Sequence, residues 1–142
     1  KHLMAQINPF IHFNGNAEEA FTFYKGIFGG DFISLIRFKD LNFENFAVSQ
    51  QEAEKIMHIE LSIGKQSVLM GSDTPKELGQ HNERETRSKI HLRAESKEDA
   101  EHLFNSLSNG GEIEFPLQEA PWGSYFGMLR DRFGIEWMVD FR

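Results

Sequence analysis

The stretch Asn16-Ala17-Glu18-Glu19-Ala20-Phe21-Thr22-Phe23-Tyr24-Lys25-Gly26-Ile27-Phe28-Gly29-Gly30 has a counterpart eighty positions later, Ser96-Lys97-Glu98-Asp99-Ala100-Glu101-His102-Leu103-Phe104-Asn105-Ser106-Leu107-Ser108-Asn109-Gly110. Both copies obey the same helix grammar. Asn16 and Ser96 are N-cap residues, and Glu19 and Asp99 stand three positions on, as a capping box requires. Ala20, Phe21, Tyr24, Ile27 and Phe28 form one apolar stripe, and Ala100, Leu103, Phe104 and Leu107 form the other. Paired glycines follow each stripe, as glycines past a helix C-terminus do.

Strand patterns surround each helix. Ile7 to Phe13 and Lys89 to Ala94 precede the helices, and Asp31 to Arg37 and Glu112 to Leu117 follow them. Hairpins close the halves: Lys55 to Ile63 with Ser67 to Gly71, and Tyr125 to Arg130 with Ile135 to Phe141. The hairpins overlay at a spacing of sixty-eight, so the first half holds about a dozen extra residues, placed in the polar stretch Lys39 to Glu54. The fold predicted is α+β: two tandem β-α-β-β-β modules with curved, mostly antiparallel sheets and helices on the outer faces. Residues 4–73 form the first module, 74–88 a polar solvated linker and 89–142 the second, together one compact domain.

Composition bounds the function. The chain has 142 residues, no cysteine and a formal net charge of −7. Disulfides, thiolate metal sites and a cysteine nucleophile are excluded. An acidic balance argues against nucleic acid as a partner. No apolar run approaches the ~20 residues of a membrane span, so no membrane partner is expected. The N-terminus lacks an apolar signal core, which makes the cytoplasm the expected compartment. Neither Gly-x-Ser-x-Gly, a P-loop nor His-Glu-x-x-His occurs.

Strand parity then assigns faces. Ile90, Leu92 and Ala94 belong under a helix, and Lys89, His91 and Arg93 on the other face. Met57, Ile59 and Leu61 likewise oppose His58, Glu60 and Ser62. Carried through the repeat, the second face gathers Ile11, Phe13, Met70, Phe126 and Met138 with His58, Glu60, Lys89, His91 and Arg93. An apolar trough with a few convergent polar groups is the form of a ligand site; a solvated face of mutually paired charges is the alternative. Trp122, in Ala120-Pro121-Trp122-Gly123, either covers the mouth of such a trough or packs on its own module or a partner subunit.

The duplicated modules, with Asn8-Pro9-Phe10-Ile11, Asn14-Gly15-Asn16-Ala17-Glu18-Glu19-Ala20-Phe21, Pro121-Trp122-Gly123-Ser124-Tyr125-Phe126-Gly127 and Asp131-Arg132-Phe133-Gly134-Ile135-Glu136-Trp137, resemble the vicinal oxygen chelate superfamily. This superfamily includes glyoxalases, extradiol dioxygenases and bleomycin-resistance proteins, and the closer resemblance is to its PhnB-like branch. The resemblance implies a homodimer, and the Phe-rich segment Phe38 to Phe46 or Trp122 is expected near its interface. It also implies a divalent metal held from the first and last strands of each module. That pattern falls on Pro9, Met70, Lys89 and Met138, none of which suits a hard cation, so neither metal nor cofactor is expected. The branch is often labelled a demethylubiquinone methyltransferase, but the chain carries no Gly-rich strand-to-helix turn of the Rossmann type. A metal-independent small-molecule-binding protein is the reading adopted. The rival is an enzyme using a non-standard metal site at His58, Glu60 and His91, or acid–base chemistry by these residues or Glu136.

Overall fold

Asp73 shows how the first module closes. Its Oδ1 accepts from the Ala17 backbone N–H and its Oδ2 from that of Ile56, both at 2.9 Å. One buried carboxylate therefore ties the start of a helix to the start of a strand. The structure is a computed structural model and describes residues 5–41 and 49–142. The elements run β1 (Phe10–Phe13), α1 (Ala17–Phe28), β2 (Phe32–Arg37), β3 (Ile56–Ile63), β4 (Ser67–Asp73), β5 (Ile90–Arg93), α2 (Lys97–Ser108), β6 (Glu112–Glu119), β7 (Tyr125–Arg130) and β8 (Glu136–Phe141). The predicted double β-α-β-β-β order holds.

The first sheet has the order β1-β4-β3-β2 and the second β5-β8-β7-β6. In each, the first and last strands of the module run parallel and the other two pairings are antiparallel. The chain divides into two units, Lys1–His81 and Asn82–Arg142. Residues 83–85 are tied to the second: Arg130 Nη1 donates to the carbonyls of Glu83 and Glu85, each at 3.2 Å, and of Gly134 at 2.8 Å. The backbone of part of the predicted solvated linker is thus held in place.

Each helix lies against its own sheet through the predicted stripe. Ala17, Ala20, Phe21 and Tyr24 of α1 are buried, as are Ala100, Leu103, Phe104 and Leu107 of α2. A side chain of Phe or Leu size contributes roughly 1.5–3 kcal/mol when fully buried. Under them lie Ile59, Leu61 and Leu69 in one sheet, and Leu129, Trp137 and Val139 in the other. The helices approach so closely that one sheet position in each module has no room for a side chain. A Cβ on Gly71 would stand 2.8 Å from the Phe21 ring, and one on Gly127 would stand 2.6 Å from the Phe104 ring.

The caps differ between the copies. Ser96 Oγ accepts from the Asp99 backbone N–H at 2.9 Å, as the sequence predicts. Asn16 makes no side-chain cap bond, and its Oδ1 is buried without a hydrogen-bond partner. Asp73 takes over that task from another strand. Gly29 ends α1 with φ 73°, a left-handed conformation natural to glycine. The segment Asp131-Arg132-Phe133-Gly134 is a turn organised by Asp131, whose Oδ1 accepts from Phe133 and Ile135 N–H and whose Oδ2 accepts from Trp137 Nε1.

The extra residues of the first half begin with a short 3-10 turn, Phe38–Asp40, with Phe38 buried. Phe43 and Phe46 of the predicted interface segment lie outside the described residues. Among the described residues, no helix is long and apolar enough to cross a membrane.

Candidate functional site

Cross-strand pairing sorts the helix-free face of the second sheet into three transverse rows, because directly paired residues share a face. The first row holds Glu112, Arg130 and Glu136, with Lys89 at its end. The second is Phe115, Met128, Met138 and His91. The third is Gln118, Phe126, Asp140 and Arg93. The face assignment of Met138 is as expected: it is half-buried on this side, while Trp137 and Val139 are buried on the other.

Three residues of the first row, Lys89, Arg130 and Glu136, form a four-charge cluster with Glu114. The side chains of Arg130 and Glu136 are each 3% exposed, and Arg130 Nη2 lies 3.4 Å from Glu136 Oε2. Lys89 Nζ donates to Glu136 Oε2 at 3.0 Å. Glu114 joins from β6, its oxygens 3.7 Å from Lys89 Nζ and 3.7 Å from Arg130 Nε. The β6–β7 register shifts between Ile113 and Phe115, and this irregularity accompanies the meeting of Glu114 with Arg130. Burial raises the Glu114 pKa, and its hydrogen bond to Glu136 and the Glu136 charge raise it further, against the pull of Lys89 and Arg130. Burial works against ionisation of Glu136 too, but hydrogen bonds from Glu114 and Lys89 and both cations hold its pKa low. The two neighbouring carboxyl groups are thus pushed in opposite directions, Glu114 towards its protonated form and Glu136 towards its charged form.

The second and third rows supply apolar surface and a cation-rich end. Phe115 and Phe126 stack with ring centroids 5.1 Å apart, and Trp122 lies 5.2 Å from Phe126. Trp122 is 67% exposed. Asp140 Oδ1 accepts from His91 Nε2 and Arg93 Nε, both at 2.9 Å. Burial disfavours its charge, and the hydrogen bonds from Arg93 and His91 outweigh burial and hold its pKa below the ordinary value.

In the first sheet the helix-free face carries Met70, Glu60 and His58, as expected, with Phe10 and His12 beside them. His58 Nε2 and Glu60 Oε2 are 2.6 Å apart. Phe10 lies between two imidazoles, 5.2 Å from His12 and 5.7 Å from His58. His12 also stacks on His81 at 5.2 Å, and burial followed by the His81 charge lowers its pKa.

Two expected residues fall on the opposite face. Phe10 pairs with Met70, Ile11 with Gly71 and Phe13 with Asp73, and Phe13 packs edge-on against Phe21 of α1. Ile11 and Phe13 therefore lie under the helix. The helices repeat at eighty, but the first strands repeat at eighty-one relative to their partners: Phe10 beside Met70 matches His91 beside Met138. One extra residue sits between strand and helix in the first module, and a one-residue slip inverts every side chain. The register also sets Phe10 beside Met70 and His91 beside Met138, in place of the Pro9 and Lys89 of the expected metal-ligand pattern. Alternation gave no warning here, since Phe10, Ile11 and Phe13 are all apolar. Glu114 was missed for another reason: parity cannot be read through an irregular strand.

Residues 6–139 match the family model described as the Glyoxalase/Bleomycin resistance protein/Dioxygenase superfamily, and the chain belongs to that superfamily. Protein PA1353 from Pseudomonas aeruginosa shares the fold with a TM-score of 0.83 and 36% identity, over 98% of each chain. The PhnB protein from Bacillus cereus, described as a candidate 3-demethylubiquinone-9 3-methyltransferase, aligns with a TM-score of 0.76 and 26% identity, over 97% of this chain and all 100% of its own. Protein YjdN of Escherichia coli (strain K12) is 24% identical over 141 residues, 94% of this chain and 93% of its own. The metal that the superfamily implies does not fit these residues. Phe10, Met70 and Met138 offer no hard donor, and His91 is engaged by Asp140. Among the described residues, no group of three or more His, Asp or Glu has the geometry to hold a metal ion.

Proposed function

We propose that the chain is a metal-independent small-molecule-binding protein of the PhnB-like type, using the helix-free face of its second module. The observation that carries this reading is the stack of Trp122, Phe126 and Phe115 beside the paired Met128 and Met138. Aromatic rings give broad contact surface, and methionine adapts to irregular shapes. Charged rows border this apolar strip on both sides and supply orientation. The mode is akin to that of proteins that sequester a ligand without transforming it. A methyltransferase reading gains no support from the architecture, which has one parallel pairing per sheet and no doubly wound parallel sheet.

The test is a thermal-shift screen of small molecules in the presence of a chelator. Ligands that raise the melting temperature under chelation, and whose effect shrinks in Trp122→Ala, fulfil the reading. Stabilisation that appears only with added divalent metal contradicts it. The working form in this reading is a homodimer with the Phe38 to Phe46 segment or Trp122 near its interface. Light scattering that returns the 16.4 kDa monomer mass overturns that part alone.

One observation favours a second reading, an acid–base enzyme: beside the apolar strip the Glu114 and Glu136 pKa values are pushed apart, Glu114 upward and Glu136 downward. Turnover of a bound ligand that is lost in Glu114→Gln would favour it.

A further inference from the structure

The geometry points to a carboxylate subsite at Arg93, so that the ligand of the second module is an aromatic ring bearing a carboxylate. This rests on the small-molecule-binding reading above and names the ligand class. Asp140 receives Arg93 through Nε alone, at 2.9 Å. The two terminal amino groups of Arg93 make no hydrogen bond among the described residues, and its side chain is 55% exposed. A guanidinium fixed at Nε presents a planar two-donor edge, which matches the two oxygens of a carboxylate.

The local charge agrees. Asp140 is a single negative charge, yet Arg93 bonds to it and Arg142 Nε lies 3.8 Å from its second oxygen. Two permanent cations around one anion leave a positive surplus, to which His91 adds when protonated. The cluster of Lys89, Glu114, Arg130 and Glu136 sets two cations against two carboxyl groups, an even count. A localised surplus on a chain of net charge −7 suits one small anion and not a polyanion.

The ring position follows from the register. Phe126 pairs with Asp140, and Asp140 pairs with Arg93, so Phe126 and Arg93 stand two strand spacings apart, about 9–10 Å. A fused two-ring carboxylate bridges that span, with its rings on Phe126 and Trp122 and its carboxylate at Arg93. The reverse orientation would set the carboxylate on the Phe126 and Trp122 rings, which offer it no cation.

The experiment uses matched probes, 2-naphthoate and neutral 2-naphthamide, titrated calorimetrically into the wild-type chain, Arg93→Gln and Arg93→Lys. Naphthoate is expected to bind at least about tenfold more tightly than naphthamide, the scale of a hydrogen bond to a charged group. Arg93→Gln should bring naphthoate to the naphthamide level and leave naphthamide unchanged, and Arg93→Lys should fall between. Equal binding of both probes, unchanged in Arg93→Gln, overturns the subsite while leaving small-molecule binding intact. Absence of binding by both overturns the subsite as well, and the thermal-shift screen then judges the broader reading independently. Circular dichroism of each variant confirms that any loss belongs to the site and not to folding.

Discussion

Phe126 stands directly opposite Asp140 on the paired strands β7 and β8, which puts the stacked aromatic surface next to the carboxylate that holds His91 and Arg93. Apolar and ionic groups usually separate in a sheet face. Here a single register places them in one row, one strand apart.

Arg130 is expected to be the most sensitive charge to remove. It is buried against Glu136 and donates to three backbone carbonyls. Arg130→Met leaves those acceptors and part of the Glu136 charge uncompensated, which costs about 3 kcal/mol. Urea unfolding measures the loss, and limited proteolysis should show new cleavage near residues 83–85.

The Glu114–Glu136 pair makes stability depend on pH in a defined direction. Glu114 titrates above its ordinary value of 4.5, so between that value and its raised one the folded chain holds more protons than the unfolded chain. Its stabilisation is complete below this window and declines as pH rises through it. Glu136, held low, contributes stability above 4.5 that is lost as pH falls through its depressed value. Glu114→Gln should flatten the decline on the alkaline side of 4.5, read from urea midpoints across about pH 4 to 8.

Gly71→Ala should destabilise by about 1–3 kcal/mol, because its Cβ would stand 2.8 Å from the Phe21 ring and 2.9 Å from the Ile11 carbonyl oxygen. Adding Phe21→Leu relieves the first contact, so the double variant should lose less than the sum of the two singles. Strict additivity in thermal or urea unfolding would count against this packing.

Asp131→Ala removes the acceptor of two backbone N–H groups and of the buried Trp137 indole. Three donors lose their partner, and a loss of about 3 kcal/mol is expected. The Trp137 indole proton should move in the NMR spectrum and exchange faster with solvent.

The fold was legible because helix grammar is local. Ser96, Asp99 and the Ala100–Leu103–Phe104–Leu107 stripe announce α2 within a dozen residues, and the same spacing in the first half exposes the duplication. The turn from Asp131 to Gly134 and the β7–β8 hairpin are similarly local. Face assignment worked where polar and apolar residues alternate, as at His91, Arg93, Met138 and Asp140. It failed at Ile11 and Phe13, where the offset of the helices was carried to a strand whose partner lies about sixty residues away. No local cue fixes such a register. Asp73 capping α1 in place of Asn16, and Glu114 meeting Glu136, are contacts of the same non-local kind.

The central claim, that a small molecule binds over the Met128–Met138 strip, is tested most directly by methyl NMR. The chain has five methionines, and selective labelling gives one resonance for each. Titration with a ligand from the thermal-shift screen is predicted to shift the Met128 and Met138 methyls together and most strongly. A ligand that binds while both signals stay in place, with the shifts confined to other methionines, would contradict the account.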